Sequence, residues 1–328
     1  MHAIRQHEYG AAETLLYEEV PDPVPGEGEV RIAVEAAGVH LLDTTFRKGT
    51  TSGTPYPPPS LPTTPGREVA GTVDAVGAGV DEDLVGRRVV THLGASPRVG
   101  GYSEKTVVVT ESLHDIPDGL DAATAVAAIG TGRTTVAVLD VAGITADDVV
   151  LVTSAAGGMG SLLLQATRNA GAVGVGVAGG PDKVARAQKS GAAVAVDYLQ
   201  PDWPDQVKAA LGDRSVTLVL DGVGGEAGRA AFELLGVGGR LVMFGYSAGE
   251  PIQLTTEDLM ARSLTVTWGI GARLFRPGAL RAYESKALAE AAAGRLVPVV
   301  DTFPLAEAAR AHAALESRQT TGKVVLVP

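Results

Sequence analysis

The chain contains no cysteine, which excludes disulfides, thiol nucleophiles and thiolate metal sites together. Basic residues are in deficit: 27 Lys and Arg stand against 38 Asp and Glu, a net charge of −11. A nucleic-acid or anionic-membrane surface draws its affinity from a basic face, so neither partner is expected. Long apolar runs are missing as well. The longest are broken by glycine well short of the roughly 20 residues that a membrane span needs. Met1–Tyr9 is too polar and charged for a secretory leader. No internal repeat or low-complexity tract stands out. These absences lead to the expectation of a soluble, cytoplasmic protein with no membrane insertion and no nucleic-acid partner.

What is present suits a large folded chain. The 328 residues are 45% hydrophobic and include 42 glycines, enough for about two domains with many tight turns. From Met1 to about Gly119 the rhythm is β-like. Arg31–Ala37, Val69–Val76 and Arg87–His92 read as strands separated by Gly and Pro clusters. From Asp121 to about Gly271 strands alternate with helices. Val149–Thr153, Val173–Ala178, Ala193–Val196, Val216–Asp221, Arg240–Gly245 and Leu264–Gly269 are the strands; Pro181–Ser190, Trp203–Leu211 and Gly225–Leu235 are among the helices. That alternation predicts a doubly wound parallel sheet. Two helical stretches, Pro277–Gly294 and Leu305–Glu316, and a last strand, Lys323–Val327, then return to the amino-terminal domain. The expected division is residues 1–120 with 272–328, and residues 121–271.

The most informative segment is Val149–Gly160, VVLVTSAAGGMG. A short apolar strand breaks into glycines and then into a helical pattern, Ser161–Gly171. Glycine lets backbone approach a pyrophosphate, and a helix amino end offers it free N–H groups and a positive dipole. A second apolar run follows at βαβ distance, which strengthens the dinucleotide reading over glycine-rich packing alone.

Six motifs fall in one order along nearly the whole length: Ala37–Asp43 (AGVHLLD), Tyr56–Pro59 (YPPP), Pro65–Gly71 (PGREVAG), Ala155–Gly160 (AAGGMG), Asp221–Gly225 (DGVGG) and Thr321–Val325 (TGKVV). With them the chain resembles the medium-chain dehydrogenase/reductase superfamily, and within it the zinc-free quinone oxidoreductases related to zeta-crystallin. The resemblance implies an α/β protein, a GroES-like β-rich substrate domain joined to a Rossmann domain. It also sets His40, Arg67 and Thr131 where the zinc alcohol dehydrogenases carry cysteine, histidine and cysteine. Guanidinium cannot ligate zinc and threonine is a poor ligand, so no metal is expected. Without that Lewis acid, hydride delivery to an already electron-poor acceptor is favoured, a quinone or similar conjugated carbonyl.

NADPH is the expected cofactor. The second Rossmann strand ends in Ala178-Gly179-Gly180-Pro181, without the acid that would hold the ribose hydroxyls of NADH. Lys183 matches the family lysine on the 2′-phosphate, and Tyr198 an aromatic beside it; Asp182 is an opposing neighbour or only a cap at the helix start, and a solvated helix face is the plain alternative for Lys183 and Arg186. The resemblance and the strand-end positions add Thr134, Ala156, Gly157, Gly158, Met159, Gly160, Gly180, Gly222, Val223, Phe244, Gly245, Tyr246 and Lys323 to the cofactor contacts. No catalytic residue is assigned. His40, Thr45, Tyr56 and Arg133 are substrate-pocket candidates; His40 could donate to a carbonyl oxygen or merely bond local backbone. Arg133 could recognise an anion or the cofactor phosphates, or pair with an acid such as Asp43. Enal, enone or enoyl-thioester reduction and a non-catalytic NADPH-binding sensor or structural role remain open beside quinone reduction. The uncharged strand Leu264–Gly269 would lie at a sheet edge, which points to a homodimer, the alternative being a flanking loop such as Ala272–Pro277 that covers the edge within one chain.

Overall fold

The computed structural model describes residues 1–51, 57–94, 100–274 and 276–328. The chain forms two compact units, residues 1–131 with 287–293 and 297–328, and residues 132–286 with 294–296.

The first unit starts with an antiparallel pair, β1 (His2–Gln6) and β2 (Leu15–Glu19). Next come β3 (Glu29–Val39), the short helix α1 (Leu41–Arg47), β4 (Glu68–Val76), β5 (Arg88–His92), β6 (Lys105–Val109) and β7 (His114–Asp115). β3 alternates as a half-buried strand should, with Val30, Ile32 and Val34 inward. Helix α2 (Ala122–Ala127) passes through one π-helical turn, Ala128–Gly132, into α3 (Arg133–Ala142). Gly143, at φ +53°, ends that run in the left-handed conformation glycine favours. Here the structure corrects the sequence expectation. Gly130 and Gly132 do not break the apolar run, and Ala122–Ala142 is long and apolar enough to cross a membrane, although most of it is buried.

The second unit continues with β8 (Val149–Thr153), α4 (Gly158–Asn169), β9 (Val173–Ala178), α5 (Pro181–Lys189), β10 (Val194–Asp197) and α6 (Trp203–Leu211). It is completed by β11 (Val216–Asp221), α7 (Gly225–Glu233), β12 (Leu235–Met243), α8 (Thr256–Arg262) and β13 (Thr265–Trp268). Among the described residues these strands make one parallel sheet, ordered β10-β9-β8-β11-β12-β13. β8 is buried at every position and rich in valine, as a strand covered on both faces requires. The chain starts in the middle, winds outward to β10, then crosses back to β11. The carboxyl ends of β8 and β11 are therefore the topological switch point, where such sheets bind ligands.

Helix α9 (Ala279–Ala292) is shared. Its first half belongs to the second unit, because Arg133 pairs with Glu284 at 2.7 Å and Lys286 with Asp140 at 3.3 Å. The boundary thus lies at residue 286 rather than 271. Its last turns bury Leu288 and Ala291 in the first unit's core beside Ala36, Ala70 and Val325. The first unit ends with β14 (Val300–Pro304), α10 (Ala308–Glu316) and β15 (Lys323–Val327). β15 lies between β14 and β3, in a sheet ordered β14-β15-β3-β4-β5-β7 with β6 also on β3. The amino-terminal sheet is therefore completed by the carboxyl-terminal strand.

Candidate functional site

In the second unit the glycine turn meets its geometric needs one residue at a time. β8 ends at Thr153, and Ser154 turns the chain at φ +51°, unusual for a non-glycine residue. Ala155 and Ala156 are buried, Gly157 caps α4 in extended conformation, and Gly158 opens the helix. A Cβ on Gly160 would overlap the Ser154 carbonyl, so only glycine lets α4 sit this close to the end of β8. Met159 packs its side chain on the core behind the turn. The first N–H groups of α4 are left facing out of the switch point, as helix geometry demands.

The second wall of that crevice is organised by Asp221, fully buried at the end of β11. Its carboxylate accepts the Thr153 hydroxyl at 2.7 Å and the N–H groups of Val223 and Gly224 at 3.0 and 3.1 Å. Thr153 Oγ1 in turn accepts the Gly222 N–H at 3.0 Å. This one carboxylate locks the tips of the two switch-point strands together. Phe244, after β12, donates its N–H to the Asp221 carbonyl at 2.8 Å. Its ring covers Gly222, where a Cβ would come within 2.9 Å of the ring Cζ. Gly245 lies against the Gly222 carbonyl, and Tyr246 stacks at a tilt on Trp268, ring centroids 6.4 Å apart.

The tip of β9 shapes the third part. Gly180 takes φ +85°, and Pro181 begins α5 where a missing N–H is harmless. Lys183 falls in the first turn of α5. The Tyr198 ring lies over Gly179, where a Cβ would be 2.8 Å from the phenolic oxygen. Ala156, Gly157, Gly158, Met159, Gly160, Gly180, Lys183, Tyr198, Gly222, Val223, Phe244, Gly245 and Tyr246 thus gather at the carboxyl ends of one parallel sheet. The cradle fits a dinucleotide: backbone lies bare where a Cβ would obstruct, and a helix amino end faces the switch point. Thr134 lies in the first turn of α3. Arg133 is paired with Glu284, both largely buried, so its acid is Glu284 and not Asp43.

The first unit holds a different cluster. Glu68, fully buried at the start of β4, stands between His40 and Lys323. His40 Nε2 is 2.8 Å from Oε2, and Lys323 Nζ forms a close ion pair with Oε1 at 2.6 Å. Two glycines make room for the carboxylate. A Cβ on Gly38 or on Gly130 would overlap it, and Gly130 is brought there by the π-turn.

Burial pushes the His40 imidazole below its ordinary value, with Glu68 pulling the other way. The neutral ring is assigned its proton on Nε2, facing Glu68. Burial would raise Glu68, but His40 and Lys323 together hold it well below the usual carboxylate range. Burial lowers Lys323 against the pull of Glu68. Lys323, expected to reach the cofactor, is only 4% exposed and engaged with Glu68.

Asp43, in the same AGVHLLD motif, is buried too. It accepts the His40 N–H at 2.8 Å and the Tyr102 hydroxyl at 3.1 Å, and Arg67 Nε approaches it at 3.5 Å. Tyr102 also meets His312 Nε2 at 3.1 Å. Thr45 sits half-buried on α1, and its carbonyl accepts the Thr50 N–H. Tyr56 lies outside the described residues.

Sequence reasoning missed the organising roles of Asp221 and Glu68. Each is an acid at a strand end, a routine position. The only signal for Glu68 was its place after Arg67 in PGREVAG.

Family models match in two stretches: an alcohol dehydrogenase GroES-like domain over residues 26–118, and a zinc-binding dehydrogenase over residues 190–326. The chain is 33% identical over 325 residues to a quinone oxidoreductase of Pseudomonas aeruginosa, covering 98% of this chain and 97% of that one. It is 32% identical over 353 residues to a 2-haloacrylate reductase of a Burkholderia species, covering 98% and 97%. The solved Escherichia coli quinone oxidoreductase complexed with NADPH superimposes with TM-score 0.85 at 30% identity, over 100% of both chains. The α/β architecture, a β-rich GroES-like unit with a Rossmann unit, is the one these relatives share. The chain belongs to the medium-chain dehydrogenase/reductase superfamily, in its zinc-free quinone oxidoreductase family.

Proposed function

We propose that this chain is an NADPH-dependent quinone oxidoreductase, passing a hydride from the nicotinamide to a quinone or similar conjugated carbonyl without zinc. The observation that carries the reading is the switch-point cradle together with a β9 strand that runs out into Gly179-Gly180 without an acid and leads into Lys183, beside Asp182, in the first turn of α5. The relative complexed with NADPH and the relatives named for quinone reduction support it.

NADPH supplies the reducing hydride, and the residues of this chain bind and orient. The turn from Ala156 to Gly160 offers backbone N–H groups to the pyrophosphate. Lys183, with Gly180 and Tyr198, takes the 2′-phosphate. Gly222, Val223, Phe244, Gly245 and Tyr246 line the path toward the nicotinamide ribose, and Thr134 lies near the ring. The Asp221 lock holds both loops in place before any ligand arrives, so little ordering is left for the moment of binding. Arg67, cationic and beside Asp43, stands where a metal ligand would be needed, and its charge disfavours a metal there. His40 keeps its Nε2 proton against Glu68, which favours an orienting role for it over proton donation through that nitrogen.

The exposed edge strand β13, with Thr265 and Trp268 accessible, supports a homodimer paired along this edge; the composition supports a cytoplasmic location. A second acceptor class, conjugated enals and enoic acids, is favoured by the likeness to the 2-haloacrylate reductase. The test is NADPH oxidation with 1,4-benzoquinone, 9,10-phenanthrenequinone and 2-hexenal side by side. Turnover of the quinones well above the enal supports quinone reduction. The reverse order establishes the second class, and inactivity on all three defeats both.

A further inference from the structure

Asp197 ends β10 with its carboxylate beside the loop that leads into α5. Oδ1 accepts the Gly180 N–H at 2.8 Å and the Leu199 N–H at 3.0 Å. Gly180 is the residue from which α5 starts, so one oxygen fixes the origin of the helix that carries Lys183. The next residue, Tyr198, donates its N–H to the Ala178 carbonyl at 3.0 Å and lays its ring on Gly179. Two consecutive residues at the end of β10 thereby clamp the tip of β9. The two backbone N–H donors also hold the Asp197 carboxyl below the usual range, so it is an anion at neutral pH.

We propose that Asp197 is a positioning and specificity residue for the adenosine end of the cofactor. Its oxygen holds the Gly179–Gly180 turn, and its charge limits how strongly a 2′-phosphate is preferred over a 2′-hydroxyl. The inference rests on the NADPH reading of the site and deepens it. An anion placed at the origin of α5 opposes a dianionic phosphate held in the first turn of the same helix. The retained charge is balanced by what the same oxygen does for the turn, since glycine at φ +85° has no side chain of its own to restrain it. The site therefore gives up part of its phosphate preference for a fixed loop.

The two actions separate chemically. Asparagine keeps a carbonyl oxygen that can accept the Gly180 N–H but carries no charge, whereas alanine removes both. The experiment is calorimetric titration of the full chain with 2′,5′-ADP and with 5′-AMP, for the wild type, Asp197→Asn and Asp197→Ala. At low salt Asp197→Asn should bind 2′,5′-ADP roughly three- to tenfold tighter, the size of a screened charge–charge term near a surface, with 5′-AMP affinity within about twofold of wild type. That gain should shrink at high salt. Asp197→Ala should weaken both ligands about fivefold through the lost anchor, and amide exchange at Gly180 should accelerate in Asp197→Ala alone.

An Asp197→Asn variant with the wild-type ratio of the two affinities overturns the charge role. An alanine variant that behaves like the asparagine variant, in binding and in exchange, overturns the positioning role. Failure of the NADPH reading has a different signature, because the wild type itself would then show no preference for 2′,5′-ADP and Lys183→Ala would leave the ratio unchanged. The Asp197 inference is judged on shifts relative to the wild type.

Discussion

Glu68→Gln keeps the size of a fully buried side chain and removes its charge, taking from the buried Lys323 its contacting counter-ion and leaving only the more distant Asp43. Taking one partner out of a buried pair costs about 3–5 kcal/mol, because the desolvation of the other is no longer repaid. Lys323→Met is expected to cost less. The orphaned carboxylate still faces His40 Nε2 at 2.8 Å, and that imidazole can take up a proton. The double variant replaces the ion pair with neutral groups of similar volume, so it should recover about 2 kcal/mol relative to the sum of the single losses. Choice of probe decides whether this is seen. Both tryptophans, Trp203 and Trp268, belong to the second unit, so their fluorescence does not report on Glu68. Urea unfolding should be followed by far-ultraviolet circular dichroism, with amide exchange read on β15. A Glu68→Gln variant within about 1 kcal/mol of wild type, or additive single losses, refutes the account of the cluster.

Lys183→Ala should weaken NADPH at least about tenfold while leaving NADH nearly unchanged, through loss of a charge-assisted contact worth roughly 1.5–3 kcal/mol; equal losses in cofactor titrations would refute it. Gly160→Ala drives a methyl group into the Ser154 carbonyl, so a stability loss of about 1–3 kcal/mol, read as a lowered melting temperature, and a reduced thermal shift on adding NADPH are expected. Burial holds His312 down at about 4, below the ordinary imidazole value of 6.5. The unfolded chain alone takes up that proton as the pH falls, so the associated stability is full above pH 6.5 and is lost down to about pH 4. That loss amounts to about 3 kcal/mol, and melting curves of His312→Gln should show a flatter slope across the window. Val266→Pro deletes a backbone donor on the outer side of β13, since the Gly269 N–H bonded to the Met243 carbonyl sets Thr265 and Thr267 toward β12. Light scattering should then find monomers, and a wild type already monomeric at micromolar concentration would remove the edge-pairing idea.

Much of the second unit is legible in the chain because parallel strands buried on both faces leave uninterrupted valine-rich runs. β8, β9 and β11 fall on the expected residues for that reason. β12 begins at Leu235, five residues before the apolar run suggested, because Gly236, Gly238 and Gly239 hide a paired strand behind low strand propensity. β14, Val300–Pro304, went unread because acid and proline mask its alternation. The cradle from Ala156 to Gly160 is readable since its steric demand is written as glycine. The Glu68 cluster is not. Glu68 and Lys323 sit near opposite ends of the chain, and nothing local marks either as half of a pair. Arg133 makes the same point: its partner Glu284 lies on another helix 151 residues away, while the nearer candidate, Asp43, is taken by Tyr102 and the His40 backbone.

The place of β15 between β14 and β3 has a consequence for how this chain is made. The parallel sheet has all its strands once residue 268 has emerged, but the sheet begun by β3 lacks its closing strand until residues 323–327 have been made. At ordinary translation speeds Glu68 waits roughly 10–50 s for its lysine. Throughout that interval the β3 edge that will receive β15 is open. A carboxylate destined for the interior keeps such an edge hydrated while it waits. The acid that must be neutralised in the finished fold is thus a solubilising group in the nascent one, and a strand made long after it is the one that withdraws it from water.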